Sequence, residues 1–188
     1  MVCRVPLEIR HVDALGEVGF DAEIWRWMPK GLRDRGSMQA WVEEALTAQS
    51  AGSAMPVATT LLETGEVIGS TRFMNIEMAH RRAEIGATWI TPAWQRSRVN
   101  TEAKYLMLRY AFEKQLWRRV EFKTSSQNIK SRTAILRLGA TEEGTFRKHM
   151  IQEDGSNRDT VYFSIVDDEW PAVKARLESA FERSGARG

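Results

Sequence analysis

The chain has 188 residues, 43% hydrophobic and 28% charged, which fits one globular domain over residues 1–188 that can bury a core without crosslinks. Its 27 basic and 25 acidic residues are mixed along the sequence for a net charge of +2, which argues against a dedicated nucleic-acid binder. The single cysteine, Cys3, excludes an internal disulfide, and His11, His80 and His149 lie too far apart in sequence to suggest a metal site.

The N-terminal "MVCRVPLEIRHV" has no long apolar run, so neither a signal peptide nor a membrane span is expected and the address is a reducing cytoplasm. Alternation in "VPLEIRHV" predicts a strand over 5–12, with a short helix or turn from Asp13. "EIWRWMPKGLRDRG" reads as an irregular loop, and "SMQAWVEEALTAQ" as a helix capped by Ser37. From Pro56 the period changes to two: "PVATTLLETGEVIGSTRFMNI" predicts a hairpin turning at "ETGE". A third strand covers 83–91, with Ala83, Ile85, Ala87 and Trp89 on one face and Glu84, Gly86 and Thr88 on the other.

Apolar residues at 103, 106, 107, 110 and 111 predict a helix over 101–114, and "RRVEFKTS" returns to strand character. "NIKSRTAILRLGA" is a second amphipathic helix, with Asn128 as N-cap and Gly139 as its stop. Strands follow in "TEEGTFRKHMI" and "RDTVYFSIV" around the turn "EDGSN", and a helix from Asp168 to about Phe181 closes the chain. The order implies a mixed α/β sheet, antiparallel early and covered by helices later, with a parallel crossover between 83 and 125. Ligands of such sheets bind at the carboxyl ends of strands, here residues 88–100 and 122–128.

The segment "WITPAWQRSRVNTEAK" has a strand, a short loop and a helix start, where unpaired N–H groups and a partial positive charge suit a phosphate. Taken alone the signal is weak, because many helices begin after a polar loop and an exposed arginine-rich turn accounts for it better. In order with "RRVEFKTSSQNIKSRTAILRLGATEEG" and "DGSNRDTVYFSI", residues 56–166 resemble the GCN5-related N-acetyltransferase superfamily, most of all its RimJ/RimL-type branch. The resemblance implies an α+β fold with a mostly antiparallel sheet of about seven strands, a central splayed parallel pair and flanking helices. It implies acetyl-CoA as co-substrate, and as acceptor a primary amine on a small molecule or a protein N-terminus. No nucleic acid or membrane is expected as a partner, and a homodimer is left open.

Carried over residue by residue, the resemblance gives the pantetheine arm backbone groups of Trp89, Ile90 and Thr91. It places Gln95, Arg96, Ser97, Arg98, Val99, Asn100 and Thr101 around the pyrophosphate, Asn128 on the pantetheine, and Ser131 near the sulfur. Two positions depart from the family pattern. Arg98 stands where the motif has glycine, which either obstructs the phosphate or grips it. Ile135 stands where many members carry a tyrosine acid, which leaves Ser131 or a water to protonate the thiolate. The alternative function is a protein of this fold whose weakened cofactor binding leaves it an interaction module. For the acetyl transfer itself, Glu84 on the polar strand face is the preferred base, unless it is a carboxylate paired with a nearby arginine. Glu77, His80 and His149 are weaker bases, and Glu102 complements the helix dipole. Trp25, Trp27 and Met28 are candidates for the acceptor wall, or else for packing beneath their loop.

Overall fold

A computed structural model of the protein describes residues 1–185. In chain order its elements are β1 (Val2–Pro6), α1 (Val12–Gly19), α2 (Ala22–Trp25), α3 (Arg35–Ser50), β2 (Met55–Leu61), β3 (Val67–Glu77) and β4 (Arg82–Ile90). There follow α4 (Val99–Glu113), β5 (Arg119–Ser125), α5 (Ile129–Leu138), β6 (Thr141–Ile151), β7 (Asn157–Val166) and α6 (Trp170–Gly185). The strands form one sheet in the order β1-β2-β3-β4-β5-β7-β6. Every neighbouring pair is antiparallel except β4–β5, so the fold is the α+β sheet with one parallel pair that the sequence implied.

Two apolar layers sandwich the sheet. Leu15, Met38, Val42 and Trp89 belong to the cluster beneath α1 and α3. Ile85, Met107, Leu108, Phe122, Phe163 and Trp170 belong to the cluster that gathers α4, α5 and α6. No helix among the described residues is long and apolar enough to cross a membrane.

Helix ends follow the local chemistry, with corrections at the N-terminal side. Asn128 caps α5 as predicted, its Oδ1 accepting from the Ser131 N–H at 3.0 Å, and Gly139 ends the helix at φ 98°. Helix α3 starts before Ser37. Asp34 is the cap, its Oδ1 accepting from the Ser37 N–H at 2.7 Å, while Ser37 Oγ accepts from the Asp34 N–H at 3.1 Å. The reciprocal pair is a capping box, so Ser37 serves the helix from its third position.

The opening strand stops at Pro6 rather than running to residue 12. Leu7 donates to the Pro56 carbonyl, and the Glu8 N–H then turns onto His11 Nδ1 at 3.0 Å. Alternating polarity cannot distinguish such a turn from extended chain. The loop expected over 23–36 also contains the short α2, started by Asp21 accepting from the Glu23 N–H at 2.8 Å.

The largest correction concerns the faces of β4. Arg72 pairs with Gly86, but Ser70 pairs with Trp89, so Ala87 and Thr88 together oppose Thr71 in a bulge with Ala87 at φ 46°. One extra residue inverts every side chain beyond it. Ala83 and Ile85 therefore face α4, whereas Trp89 turns to the α1–α3 side and packs against Trp25 and Trp41 at 5.5 and 6.3 Å. Gly69 permits this approach, since a Cβ there would lie 2.2 Å from the Trp89 carbonyl oxygen.

Candidate active site

Strands β4 and β5 pair only where Arg82, Ala83 and Glu84 meet Arg119, Val120 and Glu121, and then they part. Glu84 is thus the last paired residue of β4, at the apex of a V. Its side chain is only 3% exposed and lies on the face opposite Ile85. Oε2 accepts from Asn75 Nδ2 at 2.9 Å and pairs with Lys123 Nζ at 3.0 Å. The partner of this carboxylate is a lysine, not the arginine considered from sequence. Both contacts fall on Oε2, so Oε1 remains for a ligand. A Cβ at Gly86 would stand 2.7 Å from that oxygen and 2.7 Å from Met74 Sδ, so the glycine is what lets the carboxyl group lie this close to the strand.

Beyond the apex, the β5-facing edge of β4 has no strand partner. The Thr91 N–H is used by the Ile68 carbonyl at 2.9 Å, so the alternation of a strand turns the Ile90 peptide groups away from β3. The Ile90 carbonyl accepts from Gln95 Nε2 at 2.9 Å, and Lys130 Nζ bonds Gln95 Oε1 in turn, which ties the loop to both β4 and α5. Trp89 contributes a buried ring to the opposite face, and its backbone oxygen is the one crowded against Gly69.

In the loop itself the strained residue is Arg96, at φ 62°, while Arg98 is right-handed at φ −72°. Arg98 therefore suffers no backbone strain from replacing a glycine. Its Nη2 donates to the Phe181 carbonyl at 3.2 Å and its guanidinium lies 5.7 Å from the Phe181 ring, so it leans on α6. Ser97 Oγ donates to the Trp94 carbonyl at 2.6 Å and accepts from the Val99 N–H at 3.3 Å. Asn100 and Thr101 stand in the first turn of α4, where N–H groups have no intrahelical acceptor. Asn100 Oδ1 is buried with no partner, an acceptor that a polar ligand at this helix start would satisfy. Arg96, the first-turn N–H groups and the unpaired edge of β4 fit a phosphate-bearing ligand with an amide-rich arm, as acetyl-CoA is.

Asn128 and Ser131 stand at the start of α5, which follows β5. Asn128 Oδ1 is used as the cap, and Ser131 is half-buried one turn on. Ile135, in place of the family tyrosine, is buried in the core and carries no proton.

The other side of the sheet holds the aromatic loop. Trp25 is buried in the tryptophan cluster, its Nε1 donating to the Gly19 carbonyl at 2.6 Å, and with Met28 it also lines a cleft of about 400 Å³. Phe20, Leu32, Gln152 and Glu153 are also among its lining residues. Trp27 is half-buried and contributes its carbonyl, which accepts from Arg158 Nη1 at 3.0 Å. Among the weaker base candidates, Glu77 is engaged by Arg82, His80 is exposed on its turn, and His149 packs edge-on to Phe146 and Tyr162. Glu102 accepts from the Val2 N–H at 3.2 Å, which adds a tether of β1 to its place near the helix start.

Sequence reasoning missed three buried cations, Arg72, Lys104 and Arg158. Lys104 Nζ donates to Thr71 Oγ1 at 3.0 Å and to Thr88 Oγ1, directly behind the β4 bulge. Burial, reinforced by the charge of Arg4 and opposed by Glu84, lowers its pKa to about 7. The signal was present: Lys104 stands three and four residues before the apolar Met107 and Leu108, on the side of the helix that must be buried. Arg158 is 7% exposed on β7, and only the parity of that strand could have placed it beside the site.

Residues 3–141 match the model of the acetyltransferase (GNAT) domain family. The Bacillus subtilis (strain 168) protein named "Putative ribosomal N-acetyltransferase YdaF" is 33% identical over 114 residues, 61% of either chain. The chain thus spans about three-fifths of that relative's length. A GCN5-related N-acetyltransferase from Brucella melitensis superposes with a TM-score of 0.87 at 31% identity, covering 95% of this chain and 81% of the other. Mycobacterium smegmatis RimJ, solved in complex with CoA-disulfide, shares the fold with a TM-score of 0.83 at 23% identity, covering 95% and 88%. The chain belongs to the GNAT acetyltransferase family, a family of acyltransferase enzymes.

Proposed function

We propose that this protein is an N-acetyltransferase of a single domain that moves an acetyl group from acetyl-CoA to a primary amine by direct attack. The observation that carries it is Glu84, a buried carboxylate with one uncommitted oxygen at the apex where β4 and β5 part. Acetyl-CoA supplies the acetyl group as a thioester. The Ile90 N–H on the free edge of β4, the loop Gln95–Val99, the α4 start at Asn100 and Thr101, and Asn128 would hold it. A bound CoA derivative in the RimJ relative supports that assignment. Arg98 in right-handed backbone removes the strain that would have favoured a binding-deficient module.

Glu84 takes the proton of the acceptor amine at Oε1, while Asn75 and Lys123 hold Oε2 and fix the carboxylate plane. Ser131 would donate to the departing thiolate. The cleft lined by Trp25 and Met28, with Trp27 between them in the chain, receives the acceptor, a small-molecule amine or a protein N-terminus, and the named ribosomal relative supports the latter. The protein would act in the cytoplasm.

Calorimetry with acetyl-CoA, paired with a free-thiol assay over amines and N-terminal peptides, tests this. Glu84→Gln should lower kcat by roughly 10²–10⁴-fold and leave acetyl-CoA binding unchanged. No heat and no thermal stabilisation at millimolar acetyl-CoA would overturn the enzyme assignment. Full activity in the Glu84→Gln protein would remove Glu84 from it.

A further inference from the structure

Four charged residues are buried among the described residues: Arg72, Lys104 and Arg158 against a single anion, Glu84. Charges taken out of water are normally paired, so each cation should have a partner. Lys104 has two threonine hydroxyls and a depressed pKa. Arg72 lies 4.5 Å from the Trp41 ring centroid and feels Glu44. Arg158 has the Trp27 carbonyl on Nη1, whereas its Nε is buried without a partner and no carboxylate forms a salt bridge with it. The only buried carboxylate among the described residues, Glu84, already pairs with Lys123.

Its position ties Arg158 to the candidate site. On β7 the even residues Thr160 and Tyr162 share a face with Arg158, opposite Val161 and Phe163 of the α4–α6 core. Tyr162 is registered against Lys123, whose amine holds Glu84, so Arg158, Lys123 and Glu84 occupy one face. Burial lowers the Arg158 pKa, and Glu84 and Tyr162 are the charges that oppose that effect, so they are its electrostatic neighbours. Its Nη1 is bonded to the carbonyl of Trp27, between cleft residues Trp25 and Met28. Two acceptors nearby in the chain, Gln152 Oε1 and Thr160 Oγ1, are likewise buried and unpartnered, and Gln152 lines the cleft.

We propose that the acceptor amine carries a carboxylate and that Arg158 receives it, while Glu84 faces the amine. This rests on the acetyltransferase assignment above. With Nη1 held by the Trp27 carbonyl and Nε buried, the guanidinium is fixed in orientation and Nη2 is the nitrogen left to donate to a carboxylate, a charge-assisted bond. Arg158 thereby sets specificity: acceptors without an anion leave a buried cation unpaired in the complex. Carboxylates from a free amino acid and from an acidic side chain beside a protein N-terminus share this chemistry.

Two matched pairs of acceptors test it with the whole chain and saturating acetyl-CoA. Phenylalanine against 2-phenylethylamine differs only in the α-carboxylate. Ala-Asp-Ala-amide against Ala-Asn-Ala-amide places the carboxylate on a side chain. The expected result is at least a tenfold higher kcat/KM for the anionic member of one pair, which also identifies the source. Arg158→Gln should abolish that preference, lowering the anionic acceptor tenfold or more and the neutral one less than twofold. Equal turnover within both wild-type pairs, or equal losses for both members in Arg158→Gln, overturns the proposal while leaving the transferase assignment intact.

Should Arg158→Gln fail to fold, the wild-type protein decides through inhibition by 3-phenylpropionate against 3-phenylpropanamide. The same measurement decides when none of the four acceptors turns over, read then as thermal stabilisation of the acetyl-CoA complex. A saturable effect of the acid alone supports the site, and no difference between the two overturns it. Absence of acetyl-CoA binding, measured first by calorimetry, is the separate signature of failure of the transferase assignment.

Discussion

Replacing Lys104 by methionine removes a buried amine whose folded-state pKa of about 7 lies well below the ordinary lysine value of 10.5. Burial is the main cause, Arg4 adds to it and Glu84 opposes it. Below pH 7 the lysine is protonated both folded and unfolded, so the fold carries the full penalty of a buried cation. Between pH 7 and 10.5 the folded amine is neutral while the unfolded one keeps its proton. Unfolding then takes up a proton, and stability rises with pH by about 1.4 kcal/mol per unit. Over the three units from pH 7 to pH 10 the gain is about 4 kcal/mol for a group so deeply buried.

Methionine has a similar reach and no charge, so its variant lacks this dependence. Thr71 and Thr88 keep their mutual hydrogen bond of 2.7 Å in its absence. Urea unfolding of wild type and Lys104→Met at half-unit steps from pH 6 to pH 10 provides the measurement, and taking the difference cancels other titrating groups. The variant should have its greatest relative stability near pH 6 and lose about 4 kcal/mol of it by pH 10. A difference that stays flat within about 1 kcal/mol across that range would show that Lys104 titrates normally and that its burial is relieved by solvent.

Three further outcomes follow from the geometry. Arg96→Gly should stabilise the protein by about 1 kcal/mol in thermal melts, because φ 62° suits glycine, and should weaken CoA binding several-fold in calorimetry through loss of the cation. Asn128→Ala should cost about 1 kcal/mol in urea unfolding from the lost α5 cap, and stability equal to wild type would show that the cap bond to the Ser131 N–H contributes nothing. In Gly69→Ala the new Cβ meets the Trp89 carbonyl oxygen at 2.2 Å and Ile90 Cα at 2.9 Å, so β3 and β4 must part. That strain should cost about 3 kcal/mol or more in urea unfolding, and a wild-type midpoint would refute the close approach.

Much of this molecule is legible along the chain because the information is local. The Asn128 cap, the Gly139 stop, the "ETGE" turn and the apolar stripe of α4 each depend on neighbours within a few residues, and each appears where its residue types place it. The order of these segments also carried the family resemblance. What the chain could not announce is set by contacts between distant residues. The Ala87 bulge arises from pairing with β3, and it alone decides that Trp89 faces α1 and α3 rather than α4. Whether Arg98 strains its loop depends on a backbone angle and on Phe181, 83 residues away. Glu84 looked like any strand carboxylate until the parting of β4 from β5 put it at the apex with Lys123. The charge imbalance around Arg158 exists only because folding removes that guanidinium from water. Periodicity fixes which residues form an element, whereas register and burial decide what each side chain can do chemically.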